Sequence, residues 1–223
     1  MSILAKALAE KTRFLSEWEG KQLLAEHGIP VTGDRLARTV EEAVAAAEAI
    51  GYPVVVKGCG RTLLHKTEMN FVRLNLKNAA AVREAAAEMQ PRLPADADGL
   101  LVAPMLDPRR EFIAGVSQDP QFGPVVAFGL GGIFTETLKD VAFRVAPFDA
   151  NEGWALVHDV AARKLMAAVR GLPAIDKKKM AQLLADLSTL AANSAIEEID
   201  CNPILADGDQ PVVVDALVKL RTS

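Results

Sequence analysis

Residues 51–68 read GYPVVVKGCGRTLLHKTE, and the rest of the chain can be read outward from them. The apolar run Pro53 to Val56 predicts a short buried strand, with Lys57 at its end. A glycine-rich loop follows and carries His65 and Lys66 side by side. A lysine can meet a phosphate as a point charge, and glycines let backbone N–H groups approach oxygens. A histidine can hydrogen-bond a phosphate or accept one covalently. Taken singly, Lys57 also reads as a solvated strand-end lysine and His65 as a surface histidine; together they are phosphoryl-transfer parts.

Bulk properties narrow the partners. A chain of 223 residues can bury a substantial core, as one large domain or as two lobes sharing a cleft. The net charge of −4 comes without a basic run interleaved with aromatics, which argues against nucleic acid. No apolar run approaches the roughly 20 residues that span a bilayer, so no membrane is expected. The N-terminal MSILAKALAEKTRF has no long apolar core or small-residue cleavage site and reads as a helix. Cys59 and Cys201 lie far apart without a CxxC pattern, which points to reduced thiols and a cytoplasmic location.

Helices and strands alternate along the first half. Glu17 to His27 has a helical apolar pattern stopped by Gly28, and Thr39-Val40-Glu41-Glu42 is a capping-box pattern opening an Ala-rich helix that stops at Gly51. Phe71 to Leu76 alternates as a half-buried strand, Asn78 can cap a second Ala-rich helix ending near Gln90, and Gly99 to Met105 is another apolar strand. In the second half, Glu111 to Val116 and Pro124 to Phe128 read as strands joined by a turn over Asp119 to Pro124. Gly129-Leu130-Gly131-Gly132 follows, either a tight turn or backbone stripped for close approach to a ligand. Asn151 to Arg170 and Asp176 to Asn193 read as amphipathic helices; Met180, Leu183, Leu184, Leu187, Leu190 and Ala191 form a core stripe on the latter.

The segment Ile196 to Ala216 carries the sharpest geometric expectation. Glu198, Asp200 and Asn202 alternate with Ile199 and Cys201, so a strand puts the three polar side chains on one face. Asp207-Gly208-Asp209 is a turn signal, and Val212 to Asp215 reads as the return strand. With Gly208-Asp209 as a two-residue turn, Asn202 opposes Asp215; with Asp207-Gly208 the two become diagonal neighbours on the same face. Opposed Cβ atoms stand about 4.5–5.5 Å apart, close enough to share a cation. One amide and one carboxylate suit Mg2+, which leaves its other positions to water and nucleotide phosphates. The plain alternative is a polar, solvent-facing hairpin.

These residues resemble, in order, the ATP-grasp subunit or domain of the NDP-forming acyl-CoA synthetases, relatives of the succinyl-CoA synthetase β subunit. The resemblance runs from about Trp18 to Leu220 through HGIPV, AIGYPVVVKG, LLHKTE, REFIAGVSQDPQFGPVVAFGLGGIFTETLKDVAFRVAP, EIDCNPIL and VVVDA. It implies an α/β (α+β) ATP-grasp fold of two lobes with a nucleotide cleft between them. The expected division is an N-terminal helical segment over 1–16, a first lobe over 17–105 and a second over 106–223. By the same resemblance His65 is the phosphoryl carrier with Lys66 beside it, and Lys57 contacts the nucleotide phosphates. The adenine-holding strand is Leu101 to Met105, with Val102, Ala103 and Met105 in contact; Glu111, Gly131 and Gly132 complete the nucleotide-binding set. Asn202 and Asp215 are the Mg2+ ligands, with Asp200 as helper, and ATP/ADP and Mg2+ are the cofactors. The implied function is an acid–CoA ligase of the NDP-forming type, working as a hetero-oligomer with a CoA-binding α-type subunit or domain. Where the family usually has Gly-Gly after its His-Lys motif, this chain has Asn70-Phe71, which would stiffen the loop that lets His65 move.

Two alternatives stand beside this reading. A degenerate ATP-grasp module would bind nucleotide and regulate a fused or partner acyltransferase, and nucleotide binding without phosphorylation of His65 favours it. A stand-alone carboxylate–amine ligase would keep its activity after His65→Ala.

Overall fold

A computed structural model describes residues 2–64, 66–132, 140–169 and 171–221. The chain divides into two compact units, one made of Phe14–Glu19 and Thr32–Met105, the other of Met1–Arg13, Gly20–Val31 and Leu106–Ser223. The sequence reading set 1–16 apart and placed 17–31 in the first lobe; in the structure 1–13 and 20–31 pack with the C-terminal unit. Backbone contacts are the reason. Leu220 N donates to Arg13 O at 2.7 Å and Val213 N to Pro30 O at 2.8 Å. A Cβ on Gly20 would sit 3.4 Å from Ala216 O, so the helix backbone lies directly on the sheet there.

In the first unit the strands are β1 (Arg35–Ala37), β2 (Val54–Cys59), β3 (Val72–Leu76) and β4 (Gly99–Pro104), ordered β1-β4-β2-β3 and antiparallel throughout. The helices α3 (Val40–Ile50) and α4 (Ala79–Met89) pack on each other and on this sheet. Their interface is small-residue packing, Ala43, Ala46, Ala47 and Ala86 against Val54, Val56 and Val102. Thr39 caps α3 by accepting from Glu42 N at 3.1 Å, while the Glu42 carboxylate turns back onto Arg38 N at 2.7 Å. Asn78 caps α4 through Ala81 N at 2.9 Å. β2 runs three residues further than the sequence suggested, so Lys57 is an interior strand residue paired with Val72 and Leu101, not a strand end.

In the second unit α1 (Ile3–Ala9) and α2 (Glu17–Glu26, its first turn belonging to the other unit) lead into a six-stranded sheet. Its strands are β5 (Phe112–Asp119), β6 (Gly123–Leu130), β7 (Val141–Val145), β8 (Ile196–Asp207), β9 (Gln210–Val213) and β10 (Ala216–Leu220). The order is β10-β8-β5-β6-β7, with β9 also paired to β8. The helices α5 (Ala150–Asp159) and α6 (Lys177–Ala191) pack together, and α6 lies on β5, β6, β8 and β9. Met180, Leu183, Leu184, Leu187, Leu190 and Ala191 are all buried there, as the helical stripe requires.

The helix expected over 151–170 is cut short. α5 ends at Asp159, Val160 is extended, and a 3-10 helix covers Ala161–Met166. The carboxylate of Asp140 accepts from Ala161 N at 2.8 Å and Ala162 N at 2.6 Å, which starts a new helical turn and breaks the old one.

Candidate active site

In the first unit the two lysines singled out by sequence converge on a residue that was not. Lys57 Nζ donates to Glu17 Oε1 at 2.7 Å, and Lys66 Nζ donates to Glu17 Oε2. The Glu17 side chain is 2% exposed, that of Lys57 7% and that of Lys66 11%. A carboxylate that deep in the protein is stable only because opposite charges and their donors meet it, and two ammoniums do. Sequence had no means of naming Glu17: at the start of a helix a glutamate reads as a response to the helix dipole, and its partners lie 40 and 49 residues away.

Behind this cluster Cys59 is a buried thiol pushed up to about 12, first by burial and then by the charges of Asp98 and Glu17. It is held as an inert apolar side chain. Gly58 has a reason other than the expected approach of backbone to phosphate: a Cβ there would lie 3.1 Å from Phe71 Cβ and 3.2 Å from its ring.

The segment carrying the His-Lys pair closes tightly on the sheet. His65 itself lies outside the described residues. Phe71 N donates to Lys66 O at 2.7 Å, Asn70 N to Thr67 O at 3.0 Å, and Gly58 N to Phe71 O at 2.8 Å. Asn70 takes φ +60, the left-handed conformation that glycine adopts freely and asparagine tolerates. Asn70 thus adopts a backbone shape open to glycine. Phe71 fills the core at 3% exposure, with the Arg92 guanidinium 5.0 Å from its ring centroid. Phe71 thus anchors the end of the segment in the core.

Of the residues expected to hold adenine, Val102 and Ala103 lie on β4 and Met105 follows directly after it. Val102 and Ala103 are buried in the sheet, Val102 paired with Val56 and Ala103 with Val55, and Met105 N donates to Pro53 O at 3.1 Å. The pairing of β1 with β4 runs only to Val102, so Ala103 to Met105 continue past the neighbouring strand.

The second unit gathers the acidic residues. β8 and β9 pair Ile204 with Val213, Leu205 with Val212, Ala206 with Pro211 and Asp207 with Gln210, so Gly208-Asp209 is the two-residue turn. Gly208 has φ +63, as the first central residue of a type II′ turn needs. The register carries through: Asn202 N donates to Asp215 O at 3.3 Å, and β10 continues with Ala216 opposite Cys201. Asn202 and Asp215 are thus opposed. Glu198 and Asn202 are exposed and Asp200 half-buried on one face, while Ile199 and Cys201 are buried on the other. The Asp200 carboxyl is raised by burial first and then by the charges of Asp215 and Glu198. An acidic face that repels itself in this way, with an amide oxygen beside it, fits a hard divalent cation. Among the described residues no three His, Cys, Asp or Glu side chains form a metal cluster.

The same sheet face is unusually bare beside these acids. Asp200 opposes Gly115 on β5, Gly115 opposes Ala127 on β6, and Gly129 opposes Ile113. Glu111 sits just before β5, where Gly131 N donates to Glu111 O at 2.9 Å and a Cβ on Gly132 (φ +73) would come 3.0 Å from Glu111 Oε2. The structure brings Glu111, Gly131 and Gly132 together. It also gives Gly129 a packing reason, since a Cβ there would lie 2.3 Å from Asp140 O.

Two antiparallel sheets, each packed by helices, are the architecture of an ATP-grasp protein. An ATP-grasp domain model matches residues 6–220. The chain is 37% identical to the β subunit of ADP-forming acetate–CoA ligase II of Pyrococcus furiosus over 99% of its own length and 98% of the relative's. It is 41% identical to the β subunit of isoenzyme I of the same organism, covering 96% and 94%. Its fold matches the dinucleotide-forming acetyl-coenzyme A synthetase 1 of Ca. Korarchaeum cryptofilum, solved with coenzyme A and Ca-AMPCP, at TM-score 0.90 and 37% identity over 98% of each chain. In another structure of that enzyme, with Mg-AMPPCP, a phosphohistidine segment points towards the nucleotide-binding site. The chain belongs to the ATP-grasp family, among the β subunits of ADP-forming acid–CoA ligases. The β-subunit type implies a partner subunit. No helix among the described residues is long and apolar enough to cross a membrane.

Proposed function

We propose that this chain is the ATP-grasp subunit of an ADP-forming acyl-CoA synthetase, moving a phosphoryl group between a phosphohistidine at His65 and ADP to couple acyl-CoA formation or cleavage to ATP. Its partner is a CoA-binding α-type subunit, which interconverts acyl-CoA and phosphate with an acyl phosphate and CoA, and the pair works in the cytoplasm. The observation that carries this reading is that Lys66, the residue after His65, and the strand lysine Lys57 share the buried carboxylate of Glu17. The histidine's chain neighbour is thereby tied to a residue suited to meet the phosphates.

In the ATP-forming direction a phosphoryl group leaves the His65 imidazole as its N–P bond breaks, and a terminal oxygen of ADP forms the new P–O bond. The reverse direction regenerates phosphohistidine and releases ADP. Neutral imidazole is nucleophilic near neutral pH and leaves readily from phosphorus. Lys57 and Lys66 supply ammonium donors to the phosphate oxygens, and the end of β4 with Met105, beyond the pairing with β1, meets the base. Glu111, with Gly131 and Gly132 beside it, adds a carboxylate and bare backbone to the nucleotide-binding set. Asn202 and Asp215, with Asp200 beside them, would hold Mg2+, which neutralises phosphate charge when bound. Positioning and charge neutralisation account for most of the rate in such transfers.

The test is to incubate the chain and its partner with Mg2+ and γ-labelled ATP. An acid-labile, alkali-stable label that His65→Ala abolishes is expected. Nucleotide binding without label in the complete complex would instead assign a regulatory module.

A further inference from the structure

The first turn of α2 does more than supply Glu17. Ser16 and Glu19 form a capping box, Glu19 N donating to Ser16 Oγ at 3.3 Å and Ser16 N to Glu19 Oε2 at 3.1 Å. The same Glu19 carboxylate takes a forked pair from Arg61, Nε to Oε2 at 2.8 Å and Nη2 to Oε1 at 2.5 Å. Arg61 precedes His65 by four residues, and Lys66 follows it by one. Both stems of the histidine segment are thus ion-paired to one helical turn, Arg61 to Glu19 before it and Lys66 to Glu17 after it.

We propose that Glu17 and Glu19 are positioning residues, a two-point clamp that fixes the stems of the His65 segment beside Lys57. The inference rests on the phosphohistidine reading given above. Its physical basis is that both carboxylates are set before the segment arrives. The capping box and the helix N-terminus fix Glu19. Burial and Lys57 fix Glu17, whose side chain is 2% exposed. Neither ion pair is a loose surface contact of the kind worth little: Glu19 is 15% exposed and Lys66 11%. Phosphoryl transfer needs the reacting nitrogen within about 3–3.5 Å of phosphorus, and a segment tethered at one stem only would sample that approach less often.

The experiment uses the full chain with its partner and the variants Glu17→Gln, Glu19→Gln and Arg61→Met, the last breaking the second ion pair while leaving the helix cap intact. Two readouts are taken. Under native conditions, trypsin cleavage after Lys66 should rise about tenfold in Glu17→Gln, and cleavage after Arg61 similarly in Glu19→Gln, relative to cleavage elsewhere in the same chain. The initial rate of His65 labelling at saturating ATP should fall about tenfold in all three, by a larger factor than ATP affinity changes. Unchanged cleavage at both bonds overturns the clamp, as does a labelling loss that follows ATP affinity alone. A wild-type complex that takes no label refutes the phosphohistidine reading, and the trypsin readout then judges the clamp by itself.

Discussion

Replacing Gly115 by valine should weaken nucleotide binding at least tenfold while leaving the fold intact, and both halves follow from the structure. Gly115 lies mid-strand in β5, opposite Asp200 on one side and Ala127 on the other. A Cβ built there meets only Ile199 O, at 3.4 Å, an ordinary contact, and its φ is not in the left-handed region. A β-branched residue in a strand interior should therefore stabilise by about 0.5–1 kcal/mol relative to glycine. The added isopropyl group stands on the bare face beside the acids, where the proposed function puts the nucleotide phosphates. Losing even a modest part of that fit costs about 1.4 kcal/mol or more, at least a tenfold rise in Kd. The control is Gly129→Ala on the neighbouring strand, where the new Cβ would lie 2.3 Å from Asp140 O and 2.8 Å from Val141 Cγ2. That overlap should destabilise by about 3 kcal/mol. Urea denaturation and isothermal titration with ATP and Mg2+ separate the two effects. Wild-type stability together with wild-type affinity in Gly115→Val would refute the placement of nucleotide on this face, and a destabilised Gly115→Val would refute the free space.

Three further outcomes are expected. Asp215→Asn and Asn202→Ala should each raise the Mg2+ concentration needed for half-maximal ATP binding by about tenfold with unchanged circular dichroism, and an unaltered Mg2+ dependence would remove the pair from the cation site. Phe71→Ala should cost about 3–5 kcal/mol in urea denaturation, since the ring is 3% exposed and covered by Arg92; a loss below about 1 kcal/mol would mean the ring does not support the segment's end. With the Cys59 thiol pushed up to about 12 and Cys201 fully buried, both should resist iodoacetamide at pH 8 in the native protein and react in denaturant. At pH 8 the thiolate fraction of Cys59 is about one in ten thousand, and native alkylation at either cysteine would contradict the packing.

What could be read in advance was local and periodic. The hairpin register followed from counting outward from Gly208-Asp209, because strand periodicity is two and a two-residue turn admits one pairing. The caps at Thr39 and Asn78 and the α6 stripe were likewise legible. β1 was too short to signal itself, and β7 hid because Phe143 and Val145 face outward at 60% and 50% exposure, against the usual sense. The end of α5 depended on Asp140, which lies 19 residues before it. The pairings of Glu17 and Glu19 were illegible for the same reason in sharper form: the carboxylates meet cations 40 or more residues away, and although Ser16-Glu17-Trp18-Glu19 is a capping-box pattern, nothing in it names those partners. The glycines misled in one direction. Gly58 and Gly129 looked like ligand-facing backbone and are explained by Phe71 and Asp140.

The turn at Gly208-Asp209 works as a length gauge. Six residues on either side of it stand Asn202 and Asp215, and their meeting depends on nothing but the count. Many residues can be exchanged along both arms without disturbing that count, provided a positive φ survives at Gly208. One residue inserted or deleted at the tip would turn every side chain of the return arm over, burying Asp215 and presenting Val214 or Ala216 in its place. Drift in this hairpin is therefore free in spelling and fixed in length, and an engineered loop grafted there must conserve the number of residues before it conserves any of them.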